Sequence, residues 1–298
     1  MKTKEIFTFV LFCLLIFFTS GQKGCETTQA TKRGIDFTII SRPSFLTPGS
    51  TIHQGDTFYV GVKIENYDTE ERTGKICIRD DVEDTFGGIS SHGHGECDLF
   101  VVRAAEKKQQ EKNIFGQKRE EILPGALEVY FPKEREYAYY NLPPLIRPFS
   151  ASFYVSLQYN EFVEATATLT TGQEQPNVAQ EPSLVKVFIT KTLHPRSEGY
   201  KIDLTIELSK QGTGQIFSPD FSRQNITQFY IRLYNVPLQC FVAGKPVYHE
   251  IELQEKKTIK CTGMIYGKQE QSFPLVINLN YGVIIEKKFG FNIVTKEE

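Results

Sequence analysis

Tryptophan is absent from the 298 residues, methionine occurs twice and histidine five times. Neither sign of charge predominates, since the chain has 34 Lys and Arg residues and 36 Asp and Glu residues, for a net charge of −2. No long basic stripe is present to neutralise phosphates, so nucleic acid is not an expected partner. The Ala-, Leu-, Glu- and Lys-rich stretches of helical proteins are missing, whereas Phe (23) and Tyr (14) are abundant. The composition therefore favours β-structure.

The local signatures of common catalytic sites are also missing. No Gly-x-Ser-x-Gly elbow surrounds Ser90 or Ser91, although His92 follows them, so a serine hydrolase is not indicated. No Cys-x-x-Cys spacing suggests a thiolate metal site. We accordingly expect no catalytic residue, no cofactor and no enzymatic activity.

The N-terminal segment has the three parts of an export signal. Lys2 and Lys4 form a charged region, residues 6–18 are almost wholly apolar, and small or polar residues follow at 19–21. The apolar run is shorter than the roughly 20 residues that a membrane-spanning helix needs. The sequence thus predicts a signal peptide over residues 1–24 and an extracytoplasmic location for the rest of the chain.

Cys25 is the odd member of the cysteine set. Once Cys13 leaves with the signal, five cysteines remain, and four of them fall into two local couples. The position of Cys25, just past the apolar run, resembles that of the lipidated cysteine in prokaryotic lipoproteins, although Gln22 and Lys23 replace the usual lipobox residues. We predict lipidation of Cys25, a polar tether over 25–33 and a membrane anchor. An ordinary signal cleavage would instead leave a free or intermolecular thiol.

The other four cysteines form two couples at nearly equal spacing. Cys77 and Cys97 lie in the first half of the chain, and Cys240 and Cys261 lie in the second. Each couple closes a loop of about twenty residues, for which the chain-entropy account gives roughly 3 kcal/mol per bridge. Four cysteines allow three connectivities. Closure within each half is the simplest of them and suits an exported protein.

Alternation of apolar and polar residues predicts strands throughout the chain. The clearest runs are 58–66, which with 75–79 predicts a hairpin, and 200–208. Residues 104–121, dense in Lys, Glu and Gln, predict a solvated helix or loop. Further strands are expected at 35–40, 98–103, 127–131, 152–159, 163–169, 184–192, 229–233, 247–253, 258–262, 273–281 and 283–294.

Residues 171–182 contain two prolines and no apolar periodicity, so we place a domain boundary there. No helical period competes with the strand pattern on either side. The expected fold is all-β, with one antiparallel β-sandwich domain at 34–170 and a second at 183–298.

Gly55 and Asp56 lead into the strand at 58–66, which ends at Asn66 before a polar turn, and residues 229–235 partly repeat this pattern. These features resemble immunoglobulin-like β-sandwich domains of prokaryotic cell-surface proteins, including the adhesion-related repeat domains of bacteria and archaea. The resemblance implies two tandem immunoglobulin-like domains that serve in adhesion, spacing or display, and it transfers no catalytic residue. The absence of Trp and the short cysteine spacing separate the chain from the antibody family itself.

Two short motifs supply further candidate sites. His92 and His94, flanked by glycines, offer two imidazoles to a transition metal, with Asp80 or Asp84 as oxygen ligands. The same residues are ordinary turn formers in an exposed loop, so a secreted metal-binding protein or metal-dependent enzyme is the alternative rather than the expectation. Asn225 begins an Asn-Ile-Thr sequon, which predicts glycosylation where the host has the machinery.

The expected function is that of an exported, lipid-anchored cell-surface protein with a non-catalytic binding, adhesion or structural role. Its expected partners are the membrane, other envelope proteins and surface glycans. An accessory subunit of an envelope complex is a third hypothesis, and it predicts an exposed aromatic sheet face at Tyr230 and Tyr234. His249 alternates with apolar residues and is expected to face the core or an interface.

Overall fold

The computed structural model describes residues 34–295 except 43–44, 90–94, 110–119, 134–135, 144, 146, 173, 182 and 268. Apart from one 3-10 turn at Asp84–Phe86, the regular structure of these residues is β-strand, and the all-β prediction is confirmed. No helix in the described part of the chain has the length and apolar character needed to cross a membrane. The strands, numbered in chain order, are β1 (Ile35–Ile39), β2 (Thr51–His53), β3 (Val60–Asn66), β4 (Arg72–Asp80), β5 (Glu96–Val102), β6 (Glu106–Gln109), β7 (Glu120–Leu123), β8 (Gly125–Phe131), β9 (Phe149–Thr170), β10 (Val178–Gln180), β11 (Val185–Arg196), β12 (Gly199–Lys210), β13 (Gln215–Phe217), β14 (Ile226–Leu233), β15 (Gln239–Val242), β16 (Lys245–Pro246), β17 (Glu250–Glu252), β18 (Lys256–Tyr266) and β19 (Ser272–Val294).

Two long strands, β9 and β19, organise the fold. They are 22 and 23 residues long and pair antiparallel along almost their whole lengths, from Phe149 opposite Ile293 to Thr170 opposite Ser272. β4 and β5 extend the sheet beyond β9, and β14 and β17 extend it beyond β19. The result is a nine-stranded sheet that contains strands from both halves of the chain.

Two smaller sheets pack against the large one and make the fold sandwich-like. The sheet β1-β3-β8 is tied to the C-terminal half of β19, where Lys287 Nζ donates hydrogen bonds to Asp36 Oδ1 and to the Phe37 carbonyl, both at 2.6 Å. The sheet β11-β12-β18-β15-β16 is tied to the middle of β19, where the Val185 amide donates to Tyr281 Oη at 3.2 Å. Buried apolar side chains from all three sheets form the core.

Each of the long strands is predicted as two shorter ones, and this prediction is wrong. In β9, odd-numbered residues stay buried from 151 to 169 without a change of phase. The sequence pattern is interrupted at Asn160 and Glu161, because Glu161 is a charged residue at an inward position. The pattern of β19 is interrupted at Gly282, where three consecutive residues, 281–283, are buried and the alternation is lost.

The predicted hairpin of β3 with β4 is also wrong. β3 pairs with β1 and β8, whereas β4 pairs with β5 and β9 in the large sheet. The polar residues between them are a crossover between sheets. Asn66 anchors this crossover, because its Nδ2 donates to the carbonyls of Glu70 and Arg103 and its Oδ1 accepts from the Asp68 amide.

Residues 171–182 are tied to their neighbours at several points. The Thr171 amide donates to the Gln271 carbonyl, and β10 pairs with β9. The Gln175 side chain exchanges two hydrogen bonds with the backbone of Lys191. The halves of the chain thus share one sheet, which a division into tandem domains at this segment does not anticipate.

Both disulfides join directly opposed residues of neighbouring strands. Cys77 of β4 bonds to Cys97 of β5, and Cys240 of β15 bonds to Cys261 of β18. These are the two disulfides predicted from pairing the cysteines within each half of the chain. Spacing of about twenty residues suits this geometry, because it leaves enough chain to form the turn between two adjacent strands.

Candidate functional site

The candidate site lies at a gap along one edge of β9. β4 pairs with β9 as far as Tyr159, and β10 begins to pair with it at Ala165. The intervening residues 160–164 pair, within the described strands, with β19 on the opposite edge alone. A cleft of about 700 Å³ opens beside the gap. This volume lies within the roughly 300–1,000 Å³ that is usual for small-molecule sites.

The two walls of the cleft come from the two sides of the gap. Glu70, just before β4, and Arg72, its first residue, line one side, and Gln180 and Glu181, in and after β10, line the other. The walls are joined by a hydrogen bond from Thr69 Oγ1 to Glu181 Oε2 at 3.1 Å. The cleft is therefore held between elements that are each fixed to the sheet.

Glu161 is the buried ionisable residue among the described residues that line the cleft. It is 2% exposed, and the alternation of β9 turns it inward with Tyr159 and Val163. Its Oε1 accepts a hydrogen bond from the Leu184 amide at 3.3 Å, and the Tyr281 hydroxyl also hydrogen-bonds the carboxyl group. Its Oε2 has no hydrogen-bond partner in the described part of the chain. Leaving a buried polar atom unsatisfied costs about 1–3 kcal/mol.

The surroundings of Glu161 alter its protonation. Burial raises the pKa of Glu161 to about 7, and the negative charge of Asp68 adds to the rise. The Tyr281 hydrogen bond and the positive charge of Arg72 oppose it. Arg72 Nε also donates to Asp68 Oδ2 at 3.0 Å, so much of its charge is balanced by Asp68. A carboxyl group with this pKa changes its protonation readily when a charged group enters the cleft.

The cleft is lined by carboxyl groups, a guanidinium group and hydroxyl groups. Glu161 and Glu164 lie on opposite faces of β9, so they do not flank one bond as a pair of catalytic carboxylates does. The Ser183 hydroxyl donates to the Val185 carbonyl at 2.6 Å and is not held by a base. The described residues contain no group of three or more His, Cys, Asp or Glu side chains that could hold a metal ion.

The histidines of the predicted metal loop, His92 and His94, lie outside the described residues, as does the predicted lipidation site Cys25. Asp80, a suggested oxygen ligand for that loop, is 1% exposed. Its carboxylate accepts hydrogen bonds from the Val82 and Ile89 amides and from the Tyr140 hydroxyl. Burial raises the pKa of Asp80 to about 6. These bonds within the fold account for its position without a ligand.

The remaining predicted residues lie on the surface near β14. Asn225 precedes β14, is half-buried and has a positive φ of 60°; its glycosylation stays a prediction. His249 is exposed and its ring lies 5.3 Å from that of Tyr230, so of the two alternatives expected for it the core is wrong and the interface stays a prediction. Tyr230 and Tyr234 are 49% and 53% exposed, as the third hypothesis expects.

Sequence reasoning missed Glu161, although one signal marks it. It is the acidic residue that interrupts the buried positions of an otherwise apolar alternation from 151 to 169. No protein-family model and no curated protein matches this sequence. The candidate site is therefore interpreted from its own geometry.

Proposed function

We propose that this chain is an exported, non-catalytic binding module, held at the cell surface by a lipid on Cys25, that presents the Glu161 cleft to a ligand. The observation that carries the proposal is the cleft of about 700 Å³ at the open edge of β9, whose lining includes the acidic residues Glu70, Glu161 and Glu181. A volume of this size is usual for small-molecule sites.

The scaffold supports a binding role. The cleft is built on β9, whose whole length is paired with β19, so its residues are held before a ligand arrives. A preorganised site loses less conformational entropy on binding. The two disulfides are in keeping with an oxidising compartment outside the cytoplasm. The resemblance to immunoglobulin-like surface domains makes envelope proteins and surface glycans the partners to consider first.

The proposed binding site is tested by blocking the cleft. Ala179 is exposed at the wall of the cleft, and Ala179→Trp would fill the space with a large ring. The probes are the Nα-acetyl methylamides of lysine, glutamate and glutamine, one each of the cationic, anionic and neutral classes. We expect saturation-transfer NMR to detect at least one class on the mature chain, with the signal reduced tenfold or more in Ala179→Trp.

The matched control is Ala126→Trp, which places the same ring at an exposed position of β8, outside the residues that line the cleft. It should bind the probe as the unaltered chain does. Binding that survives Ala179→Trp, or no binding of any class, would contradict the proposed site.

Export and anchoring are tested by intact mass spectrometry of the protein purified from native membranes. We expect a mature chain that begins at Cys25 and carries added acyl mass. Reduction should add four hydrogens, two for each disulfide. A chain that begins before Cys25 and carries no lipid would overturn the anchor, and free thiols at Cys77 and Cys97 would overturn the first bridge.

A further inference from the structure

Beside the cleft, outward side chains of β9, β19 and β14 form one continuous surface, which we call the amide face. Directly opposed residues of paired strands lie on the same side of a sheet. The register gives two rows of three residues: Phe162, Asn280 and Gln228, then Glu164, Asn278 and Tyr230. All six are exposed or half-buried, whereas the residues that separate the two rows are buried, namely Val163, Leu279 and Phe229. The face is therefore open to a ligand on the side of the sheet away from the core.

Two side chains of the amide face are exposed aromatic rings. Phe162 is 55% exposed, and Tyr230, whose ring lies 5.3 Å from that of His249, is 49% exposed. β19 separates the strands that carry them, so these strands are roughly 10 Å apart, which is two inter-strand spacings. An exposed ring offers an apolar platform to a ligand that is itself apolar on one side.

The rest of the amide face is polar and almost uncharged. Asn280 Nδ2 donates to Gln228 Oε1 at 3.3 Å, which holds two amide groups next to each other beside the rings. An amide group carries both donors and acceptors, so it pairs with a hydroxyl group in either sense. We assign no ligand contact to Asn278, because its Oδ1 is buried. Glu164 alone among the six residues is charged at neutral pH.

A strained turn closes one end of the amide face. Phe221 has a φ of 59°, a left-handed conformation that aromatic residues rarely adopt. Its amide donates to the Ser218 carbonyl at 2.8 Å, and the Ser218 hydroxyl donates to the Asp220 carboxylate. The Phe221 ring covers Gly282, two residues after Asn280 on the same side of β19, where a Cβ would lie 2.6 Å from Phe221 Cε1. Strained backbone of this kind is concentrated at ligand-binding sites.

The chemistry of the amide face favours a sugar over other common ligands. β19 is paired here with both β9 and β14, so a peptide cannot add a strand to it. The six residues include no Lys or Arg to match the phosphates of a nucleic acid, and their amide and carboxyl groups do not suit a lipid surface. A sugar matches both parts of the face, because its C–H groups pack on an aromatic ring while its hydroxyls donate and accept hydrogen bonds.

We infer that the amide face binds a neutral glycan chain, with sugar rings stacked on Phe162 and Tyr230 and sugar hydroxyls hydrogen-bonded to Gln228 and Asn280. A single sugar ring is too small to contact both aromatic side chains, so the ligand is an oligosaccharide or polysaccharide. Phe162 and Glu164 also line the cleft, so the two surfaces are continuous. This inference rests on the proposed binding function and gives that function a ligand class.

The experiment is saturation-transfer NMR and titration calorimetry of the mature chain with defined sugars. The neutral probes are cellohexaose, maltohexaose, mannohexaose and chitohexaose. Hexagalacturonic acid is the anionic match, and glucose and N-acetylglucosamine test the need for a chain. We expect at least one neutral hexasaccharide to bind, and the anionic probe and the monosaccharides to bind at least tenfold more weakly. The affinity for the neutral probe should be equal at about 0.1 M and about 1 M NaCl, because no ion pair contributes to it.

Single variants test each ring. Phe162→Ala and Tyr230→Ala should each weaken hexasaccharide binding about tenfold. Tyr230→Phe keeps the ring and should bind within about twofold of the unaltered chain. Phe188→Ala and Tyr266→Ala are the matched controls, at exposed aromatic positions of β11 and β18 in a different sheet, and should bind as the unaltered chain does. All four residues are on the surface, so their truncation leaves the core intact.

The results distinguish this inference from the proposed function. Hexasaccharide binding that is unchanged in Phe162→Ala and Tyr230→Ala, that weakens with salt, or that is tightest for the anionic probe would overturn the glycan assignment. If the amino-acid amides bind and Ala179→Trp blocks them while no hexasaccharide binds, the proposed cleft stands and the glycan assignment fails. If a neutral hexasaccharide binds and the amides do not, the glycan assignment stands and the cleft fails. If no probe binds, both fail.

Discussion

A fragment that contains only residues 34–170 is expected to be unfolded. It keeps β9 but loses β19, which is opposed to β9 along its full length of 22 residues. It also loses the aromatic contacts of Phe153 with Phe289 and Phe291, which lie on β19. A long strand with an unpaired edge and an uncovered apolar face does not persist in water and tends to aggregate. The loss of the fold is expected to be complete.

Far-UV circular dichroism and ¹H-¹⁵N NMR of the two fragments 34–170 and 183–298 test this expectation. Each should lack dispersed amide resonances and cooperative unfolding. The chain 34–298 is the matched control, since it keeps every described strand, and it should fold. Two fragments that each gave dispersed spectra and cooperative unfolding would show that residues 171–182 separate independent domains, as the sequence pattern predicts.

Local patterns were sufficient to locate most strands. Apolar alternation at 200–208 becomes β12, a strand whose buried and half-buried residues alternate in the same phase. The disulfides were predictable for a related reason: cysteines about twenty residues apart can bridge adjacent strands of one sheet, as Cys240 and Cys261 do through β15 and β18. In both cases the information lies within a short stretch of chain.

Pairing between distant strands was not predictable in this way. β2 lies parallel to the end of β19, with Ile52 opposite Ile293, and no local pattern connects positions so far apart in sequence. The strand order β4-β9-β19-β14 is equally unpredictable from local sequence, because each strand could pair with several others of similar apolar alternation. The prediction of two separate sandwiches follows from treating chain order as spatial order.

The candidate site was missed for a physical reason. A carboxylate on a strand is most often solvent-exposed, and a run interrupted by Asn160 and Glu161 is therefore interpreted as a turn between two strands. Only the pairing of both flanking segments with the same partner, β19, shows that the strand continues and that Glu161 is inside. The walls of the cleft come from Glu70 and Arg72 on one side and from Gln180, Glu181 and Ser183 on the other, so the site forms only when distant segments meet.

Glu161→Gln is expected to stabilise the protein at pH 8 by up to about 3 kcal/mol. The pKa of Glu161 is about 7 in the folded protein, against 4.5 for an ordinary glutamate. Between these values the folded chain retains a proton that the unfolded chain has lost, so the free energy of unfolding falls as pH rises from 4.5 to 7 and is constant above. A difference of this size corresponds to about 3 kcal/mol. Glutamine keeps an oxygen for the Leu184 amide and does not ionise.

Urea unfolding of both proteins from pH 4 to pH 8.5, followed by circular dichroism, measures the effect. The two free energies should differ little near pH 4 and diverge toward pH 7, with the variant more stable. Asp80, whose pKa is raised to about 6, adds a slope of the same sign to both proteins, and this cancels in the difference. Glu164→Gln, an exposed change on the other face of β9, should leave the difference near zero at every pH.

The sign of the effect discriminates between two roles for the buried carboxyl. A carboxylate that stabilises the fold has its oxygens satisfied within the protein, as those of Asp80 are, and its replacement lowers stability. A carboxylate kept for a ligand is held at a cost in stability, and its replacement raises stability while removing binding. Greater stability of Glu161→Gln at pH 8 would show that the ionised carboxyl group is held in the fold at a cost in stability. Lower stability at pH 8 would place it with Asp80 as part of the fold.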